Sequence, residues 1–454
     1  MKPKSRTQPT QKTTLLLLSD THSLTPLPRP ESDQDTSFLA PLPESEILIH
    51  AGDLTKVSRR HEHLTTLAWL KSHPARLKLV IPGNHDITFD EPYYHELGHH
   101  RHRNRTDHTA PSAMASSAGN ISSGKEEPGV LEDPAEIRGL YTSPEAYDAG
   151  VRLLGEGVHS FEIPGDGEGK GKGKRRFRVY ASSWTPEFCQ WAFGYERGVD
   201  RFNPSPSSAS ASASGSGGGD REKQDGKEAN AHTDTHADTH AQTQTQTQTQ
   251  TQSNEHQPAS HEHSQHNTNT TNQNQNQPNE TSAETRERTR PHGSTGSRGE
   301  GARGAIAANS ARGFVAPHPI PDDEDIDIVI THGPPYGILD QVVPNHVSVG
   351  CEHLYRAVKR ARPRLHVFGH IHEGYGAMRR EWSTGSDSMI QCDAQQMRAE
   401  HCARVDVSRG SAMPLNPGQE TLFVNACVVN VQYHPINAPW LVDLELPVIE
   451  EGPK

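Results

Sequence analysis

The stretch Thr14-Leu15-Leu16-Leu17-Leu18-Ser19-Asp20-Thr21-His22 decides how the rest of the chain is read. It is a short apolar run that stops at Asp and His. Continuous short runs suit strands of a sheet covered on both faces. The pattern recurs. Residues 46–50 lead into Ala51-Gly52-Asp53, and Leu77–Ile81 into Pro82-Gly83-Asn84-His85-Asp86. Residues 326–331 lead into His332-Gly333-Pro334-Pro335, and Leu365–Phe368 into Gly369-His370-Ile371-His372. Residues 177–182, 422–429 and 440–444 are similar runs. Between them, residues 61–72, 143–154 and 351–362 have helical character, with Ser143-Pro144-Glu145 read as an N-cap followed by Pro at the first helical position. Strand alternates with helix, so the fold class is α/β. Functional residues of such sheets collect just past the carboxyl ends of parallel strands. Five strand ends here deliver Asp, Asn or His to that edge.

Composition says where this domain lies in the 454 residues. Hydrophobic residues make up 31%, or about 37% with Gly counted and Tyr left out, below the roughly 45–50% of an ordinary soluble domain on that count. The deficit is local. From about 203 to 312 the chain runs through Ser/Ala/Gly, Asp-Thr-His repeats, a Gln-Thr alternation (242–252) and an Asn/Gln tract (267–279), with no Leu, Phe, Tyr or Trp between Pro204 and Arg312. Such a segment buries too little surface to offset its ordering entropy, and it reads as a disordered insert. Residues 104–128 and 165–174 read as smaller inserts. One domain over residues 14–446 remains, with tails at 1–13 and 447–454.

A net charge of −12, with no basic stripe, argues against a nucleic-acid or membrane-surface partner. Five Cys with no CxxC pair form no disulfide framework. Four leucines are too few for a signal-peptide core or a membrane span. The expectation is an intracellular protein, cytoplasmic first and nuclear as the alternative.

The chemistry follows from the donors. Asp20-x-His22 and His370-x-His372 place two ligands two residues apart where a strand turns into a loop. Gly52, Gly83 and Gly369 permit tight backbone there. Carboxylate, imidazole and amide oxygen together suit a divalent transition ion such as Mn²⁺, Fe²⁺ or Zn²⁺. The set exceeds the needs of one ion, which points to two ions sharing a carboxylate, an arrangement suited to phosphoryl displacement. Each motif alone is weak; all five in order, each at a strand end, are specific.

That order resembles the calcineurin-like metallophosphoesterase superfamily. The phrases HVFGHIHEGYG (366–376) and FVNACVVN (423–430), and Ser-Trp-Thr-Pro-Glu-Phe at 183–188 followed by Trp191-Ala192-Phe193, are similar to its metallophosphoesterase-domain-containing branch, related to class III cyclic nucleotide phosphodiesterases. The resemblance implies a two-sheet β-sandwich flanked by helices. It implies that Asp20, His22 and His372 bind one metal, Asn84, His332 and His370 a second, and that Asp53 bridges them. It further implies that His85 is the general acid or steadies the phosphate, with Asp86 as its partner. The implied reaction is phosphoester hydrolysis, a phosphodiesterase in the first place, by in-line attack of a metal-bridging hydroxide. The implied partner is a small phosphoester, a cyclic nucleotide among the candidates.

Other features carry less. The five His between His95 and His108 read as a polar loop that could overhang the site. Lys170 to Arg176 reads as a basic turn. Trp184, Phe188, Trp191 and Phe193 read as packing residues, with stacking on a nucleobase as the alternative. Asn425 is placed near the site by resemblance only. The cysteines are assigned no chemistry. The competing function is a non-catalytic binding scaffold on the same fold, with the Gln/Asn-rich insert mediating assembly.

Overall fold

A computed structural model describes residues 9–28, 37–103, 131–165, 173–204, 314–322 and 325–449. The three compositional inserts lie outside these residues, apart from their margins. The architecture is α/β, with a large mixed sheet and few helices. Thirteen strands take part. In chain order they are β1 (Thr10–Leu18), β2 (Ile47–Ala51), β3 (Leu77–Ile81), β4 (Val151–Leu153), β5 (Gly157–Pro164), β6 (Lys174–Ser182) and β7 (Ile328–Thr331). Then follow β8 (Leu365–Phe368), β9 (Gly376–Glu381), β10 (Asp387–Met389), β11 (Ala403–Asp406), β12 (Glu420–Asn425) and β13 (Trp440–Ile449).

The expectation of a parallel sheet holds within two blocks only. β1, β2, β3 and β4 run parallel, as do β6, β7, β8 and β12. The C-terminal strand β13 lies between the blocks in the strand order, antiparallel to β1 over most of its length and to β6 through Val448 and Ile449. β9 adds an antiparallel neighbour to β12, and β5 one to β6. Both expected tails also yield residues to the sheet. Thr10 pairs with Pro447, so strand begins before residue 14 and continues past 446. The polar Thr-Gln-Lys-Thr run hides this, because a backbone ladder forms without an apolar signal.

Burial explains the leucine run. Leu15 and Leu17 share one apolar cluster with Ile47 and Ile49, and also with Val179, Ile330 and Val367 of the other block. Leu16 and Leu18 point the other way, into a cluster with Leu67 and Leu70 of helix α1 (Arg60–Ser72) and with Ile137 and Tyr141 of helix α2 (Pro134–Thr142). With both faces covered, no polar alternation is required. Tyr180, Val329 and Phe423 pack against Leu354, Ala357 and Val358 of a later helix, Glu352–Ala361.

The expected helix at 143–154 is shorter. Ser143 Oγ accepts from Ala146 N at 3.2 Å and starts helix α3 (Pro144–Asp148). Gly150, at φ +85°, then turns the chain into β4. Helix α4 (Glu352–Ala361) is capped by Cys351 Sγ, which accepts from Leu354 N at 3.2 Å, and ends where Arg362 turns left-handed at φ 50°. The run at 422–429 leaves the sheet after Asn425 and crosses to β1, where Ser19 N donates to Ala426 O and Val428 N to Ser19 O. Among the described residues, no helix is long and apolar enough to cross a membrane.

Three buried histidines outside the motifs act as neutral hydrogen-bonding groups. His50 Nε2 lies 2.9 Å from Thr21 Oγ1, His366 Nε2 2.9 Å from Thr331 Oγ1, and His63 Nε2 2.7 Å from Ser58 Oγ. Burial lowers His50 to about 4 and His63 and His366 to about 3. Below pH 6.5 the unfolded chain takes up protons at these positions and the folded chain does not. Stability is therefore full above about pH 6.5 and falls on acidification toward pH 4, by about 1.4 kcal/mol per pH unit for each proton. Urea midpoints of metal-free protein between pH 6.5 and 4.5 check this, and His366→Gln should reduce the slope by about one proton.

Candidate metal centre

The strand-end loops converge. Asp20 and His22 follow β1, Asp53 follows β2, and Asn84 and His85 follow β3. From the other block, His332 follows β7, and His370 and His372 follow β8. Asp20, His22, Asp53, Asn84 and His332 are buried. Asp53 faces both blocks: its Oδ2 is 3.7 Å from His22 Nε2, and its Oδ1 is 3.4 Å from His332 Nε2. On one side, Asp20 Oδ1 lies 3.4 Å from His372 Nε2 and 4.0 Å from His22 Nε2. On the other, Asn84 Oδ1 lies 2.8 Å from both His332 Nε2 and His370 Nδ1. The seven residues read as ligands thus gather around Asp53 and Asp20, and Asp20, Asp53 and His332 come together across the two blocks.

Backbone carbonyls orient the rings. His22 Nδ1 faces Thr55 O at 3.3 Å, His332 Nδ1 faces Ala51 O at 3.0 Å, and His372 Nδ1 faces Asn430 O at 3.0 Å. A carbonyl only accepts, so Nδ1 carries the proton in each ring and Nε2 faces the centre, as second partners do for ligating imidazoles; His332 Nε2 also meets the Asn84 amide oxygen and would give up a proton to ligate an ion. His370 is turned the other way, with Nδ1 inward.

The backbone is bent to reach this arrangement. Asp20 (φ 55°), His22 (φ 44°), Asp53 (φ 54°) and His370 (φ 69°) are all left-handed, which costs energy for residues other than Gly. Close approach uses Gly369, where a Cβ would collide with Asp20 Oδ2 and Ser19 Oγ. The carboxylates also tie loops together: Asp20 Oδ2 accepts from His370 N at 3.0 Å, and Asp53 Oδ1 from His85 N at 2.8 Å.

The electrostatics call for a cation. Burial would raise both carboxyls, yet the surrounding imidazoles hold Asp53 below its usual range and Asp20 well below it. Burial would lower His332, but Asp53 and Asp20 push it up to about 9. Burial, with repulsion from His85, lowers His22 to about 3, and burial with repulsion from His332 does the same to His370, so both are neutral donors. Asp20 Oδ1 and His22 Nε2 are buried without a hydrogen-bond partner. Unpaired buried polar atoms aimed at one space, beside carboxylates that draw positive charge, fit a divalent ion.

Two residues differ from their expected roles. Asp86 does not orient His85, whose Nδ1 lies 2.7 Å from the Lys56 carbonyl instead. Asp86 accepts from Leu54 N (3.0 Å), Thr55 N (2.9 Å), Thr55 Oγ1 (2.6 Å) and Gly83 N (2.8 Å), so its carboxylate faces into the protein and clamps the Asp53 loop to the Asn84 loop. Burial and the neighbouring Asp53 raise it to about 7 against these donors. Cys427, assigned nothing from sequence, donates its thiol to Asp20 Oδ2 at 2.9 Å. Among the described residues, groups able to hold an ion are Asp20, His372 and Cys427; His22, Asp53 and His85; and Asp20, Asp53 and His332. Cys427 lies in an apolar run and has the signature of a core residue, which is why sequence misses it. Asn425 holds the His370–His372 loop through Nδ2 donating to Ile371 O at 2.9 Å.

Aromatic groups border the centre. Trp184 and Phe193 pack edge to face, their centroids 5.7 Å apart, as the packing reading expects. Trp191 instead stacks on His85, and Phe188 is 62% exposed with its ring 6.3 Å from that of His370. Tyr433, 43% exposed, meets His22 edge-on at 4.7 Å.

Comparison with known proteins agrees with this geometry. Metallophosphoesterase domain-containing protein 1 of Homo sapiens is 23% identical over 450 residues, covering 98% of this chain and 75% of that protein. Its Mus musculus counterpart gives the same figures. These full-length similarities support a metallophosphoesterase family for the chain. UPF0046 protein T07D4.2 of Caenorhabditis elegans is 52% identical over 68 residues, covering 15% of this chain and 16% of that protein. No protein-family profile matches the chain.

The centre makes two predictions. Cys427 and His370 N occupy Asp20 Oδ2 and leave Oδ1 free to face an ion. Cys427→Ala should weaken Mn²⁺ or Zn²⁺ binding by about 10–100-fold, and Cys427→Ser should restore most of it, as read by competition with a chromogenic chelator. Asp86→Ala leaves buried N–H groups unpaired and should cost about 3 kcal/mol or more in denaturant unfolding, with loss of metal affinity.

Proposed function

We propose that this chain is a metal-dependent phosphoester hydrolase with two divalent ions, Mn²⁺, Fe²⁺ or Zn²⁺, and a preference for small phosphodiesters. The observation that carries the reading is Asp53, whose two oxygens face His22 at 3.7 Å and His332 at 3.4 Å, one in each ligand group. Asp20, His22 and His372 would hold one ion, and Asn84, His332 and His370 the other, with Asp53 between them. Ions bound there supply Lewis acidity for a phosphoryl oxygen and lower the pKa of water.

The chain's own residues do the rest. His85 keeps its Nδ1 proton on the Lys56 carbonyl and turns Nε2 toward the centre, beside His22 at a ring separation of 4.7 Å. Burial lowers its pKa, so the ring is neutral before substrate arrives. An anionic phosphoryl group offsets that penalty, and Nε2 then takes up a proton to deliver to the leaving oxygen. Phe188 and Tyr433 offer apolar faces to a substituent beyond phosphorus, which supports a diester, with cyclic nucleotides in the tested class and the link to class III cyclic nucleotide phosphodiesterases as part of the same reading.

The reading extends to fold and setting. The two parallel blocks are taken as facing sheets of a four-layer sandwich; the cluster that Leu17 and Ile49 share with Val179 and Val367 supports this, as do helices packed against the opposite faces. Five free cysteines support an intracellular setting, and a net charge of −12 supports a small-molecule substrate over nucleic acid.

Asp53→Ala and His370→Ala should each lower turnover of bis(4-nitrophenyl) phosphate by roughly 10³-fold or more in metal-defined buffer, a loss of several kcal/mol of charge stabilisation. Wild-type-like turnover by either folded variant overturns the assignment. A parallel screen of cyclic nucleotides, aryl diesters and monoesters sets the substrate class.

A further inference from the structure

Trp191 lies against His85 with ring centroids 4.0 Å apart and planes at 24°. The guanidinium carbon of Arg101 lies 3.5 Å from the centroid of the same indole. Arg101 donates through Nε to Tyr93 Oη at 2.9 Å, and through Nη2 to Gln190 O at 3.0 Å and Cys189 O at 3.2 Å. Tyr93 in turn donates to Gln190 O at 2.8 Å. The loop that carries Trp191 is held at its other end as well, where Phe193 N donates to Asp90 Oδ2 at 2.8 Å. Three of its residues, Cys189 (φ 51°), Gln190 (φ 54°) and Phe193 (φ 55°), are left-handed without being Gly.

Strain of that kind persists only where the surroundings over-determine it, and here it surrounds one side chain. Packing alone would not need it, because an indole can bury itself without three unfavourable residues beside it. The outcome of the strain is a flat contact with His85. The Lys56 carbonyl fixes one edge of the imidazole, and Trp191 fixes its plane; together they leave Nε2 a single direction.

We propose that Trp191, clamped by Arg101, is a positioning residue that holds the His85 ring in line with the leaving-group oxygen. The catalytic part of this rests on the role given to His85 above; the positioning part does not. Proton delivery requires reach and alignment together, so a ring free to rotate loses rate without losing substrate. The cost is greatest where the leaving oxygen most needs the proton. The stack also links the 94–103 segment, which supplies Arg101, to the chemistry of the site.

Two measurements on the full chain test it. In metal-free protein labelled at histidine rings, the His85 resonances, assigned with His85→Gln, should be shifted upfield by the indole. They should move downfield and broaden in Trp191→Ala, while Trp191→Phe keeps part of the shift. Unmoved His85 signals overturn the positioning claim, whatever the enzyme does. In Mn²⁺-loaded protein, aryl phosphodiesters of falling leaving-group acidity should show a kcat loss in Trp191→Ala that grows from a few-fold to about 100-fold, with KM within 2-fold. Trp191→Phe should recover most of the rate, and Arg101→Ala should show the same trend more weakly with the indole still present. A loss equal across the series in Trp191→Ala, with a graded loss in His85→Asn, overturns the proposal and leaves the role of His85 standing. A loss equal across the series in His85→Asn overturns that role itself, and with it the catalytic part of the proposal.

Discussion

Two carboxylates, Asp20 and Asp53, are 0% and 2% exposed, and almost everything in this structure answers to that fact. A buried carboxylate without compensation is too costly to keep. Here compensation comes from imidazoles drawn from both parallel blocks, and it is incomplete. His332 is pushed toward the protonated form, while Asp20 Oδ1 and His22 Nε2 have no hydrogen-bond partner. The donors around these carboxylates fit a divalent ion.

The same carboxylates join the blocks mechanically. Asp20, at the end of β1, accepts the backbone N–H of His370 at the end of β8. Asp53 accepts that of His85 and faces His332. Asp86, one position after His85, does comparable work on the other side by gripping residues 54, 55 and 83. The ligand loops therefore support each other, and left-handed backbone at Asp20, His22, Asp53 and His370 is held by these cross-links. A displaced loop would disturb every other ligand.

Much of the plan was legible along the chain. The leucine run, the glycines at close approaches and the order of the five motifs pointed to α/β class, strand ends and ligand types, because these depend on local period and local chemistry. At 10–13 and 447–449 the sequence shows no strand signal, since pairing there rests on backbone partners far apart in sequence. Helical character runs to 154 in sequence, but the helix stops at Asp148, because Gly150 turns the chain after one apolar stretch and before the next. The resemblance pairs Asp86 with His85, but successive residues leave a turning backbone in different directions, and Asp86 faces Leu54, Thr55 and Gly83 instead.

Sequence by itself determined that Asp, Asn and His stand at the ends of strands, and that a large part of the chain has too little apolar content to build a core. Tertiary structure decided how they are used. It made Cys427 a partner of Asp20, turned His370 to present Nδ1, gave Tyr433 a place beside His22, and placed Trp191 flat on His85. None of these follows from spacing, because each joins residues from different loops. Which face of a ring or which oxygen of a carboxylate is free is settled only when every neighbour is in position.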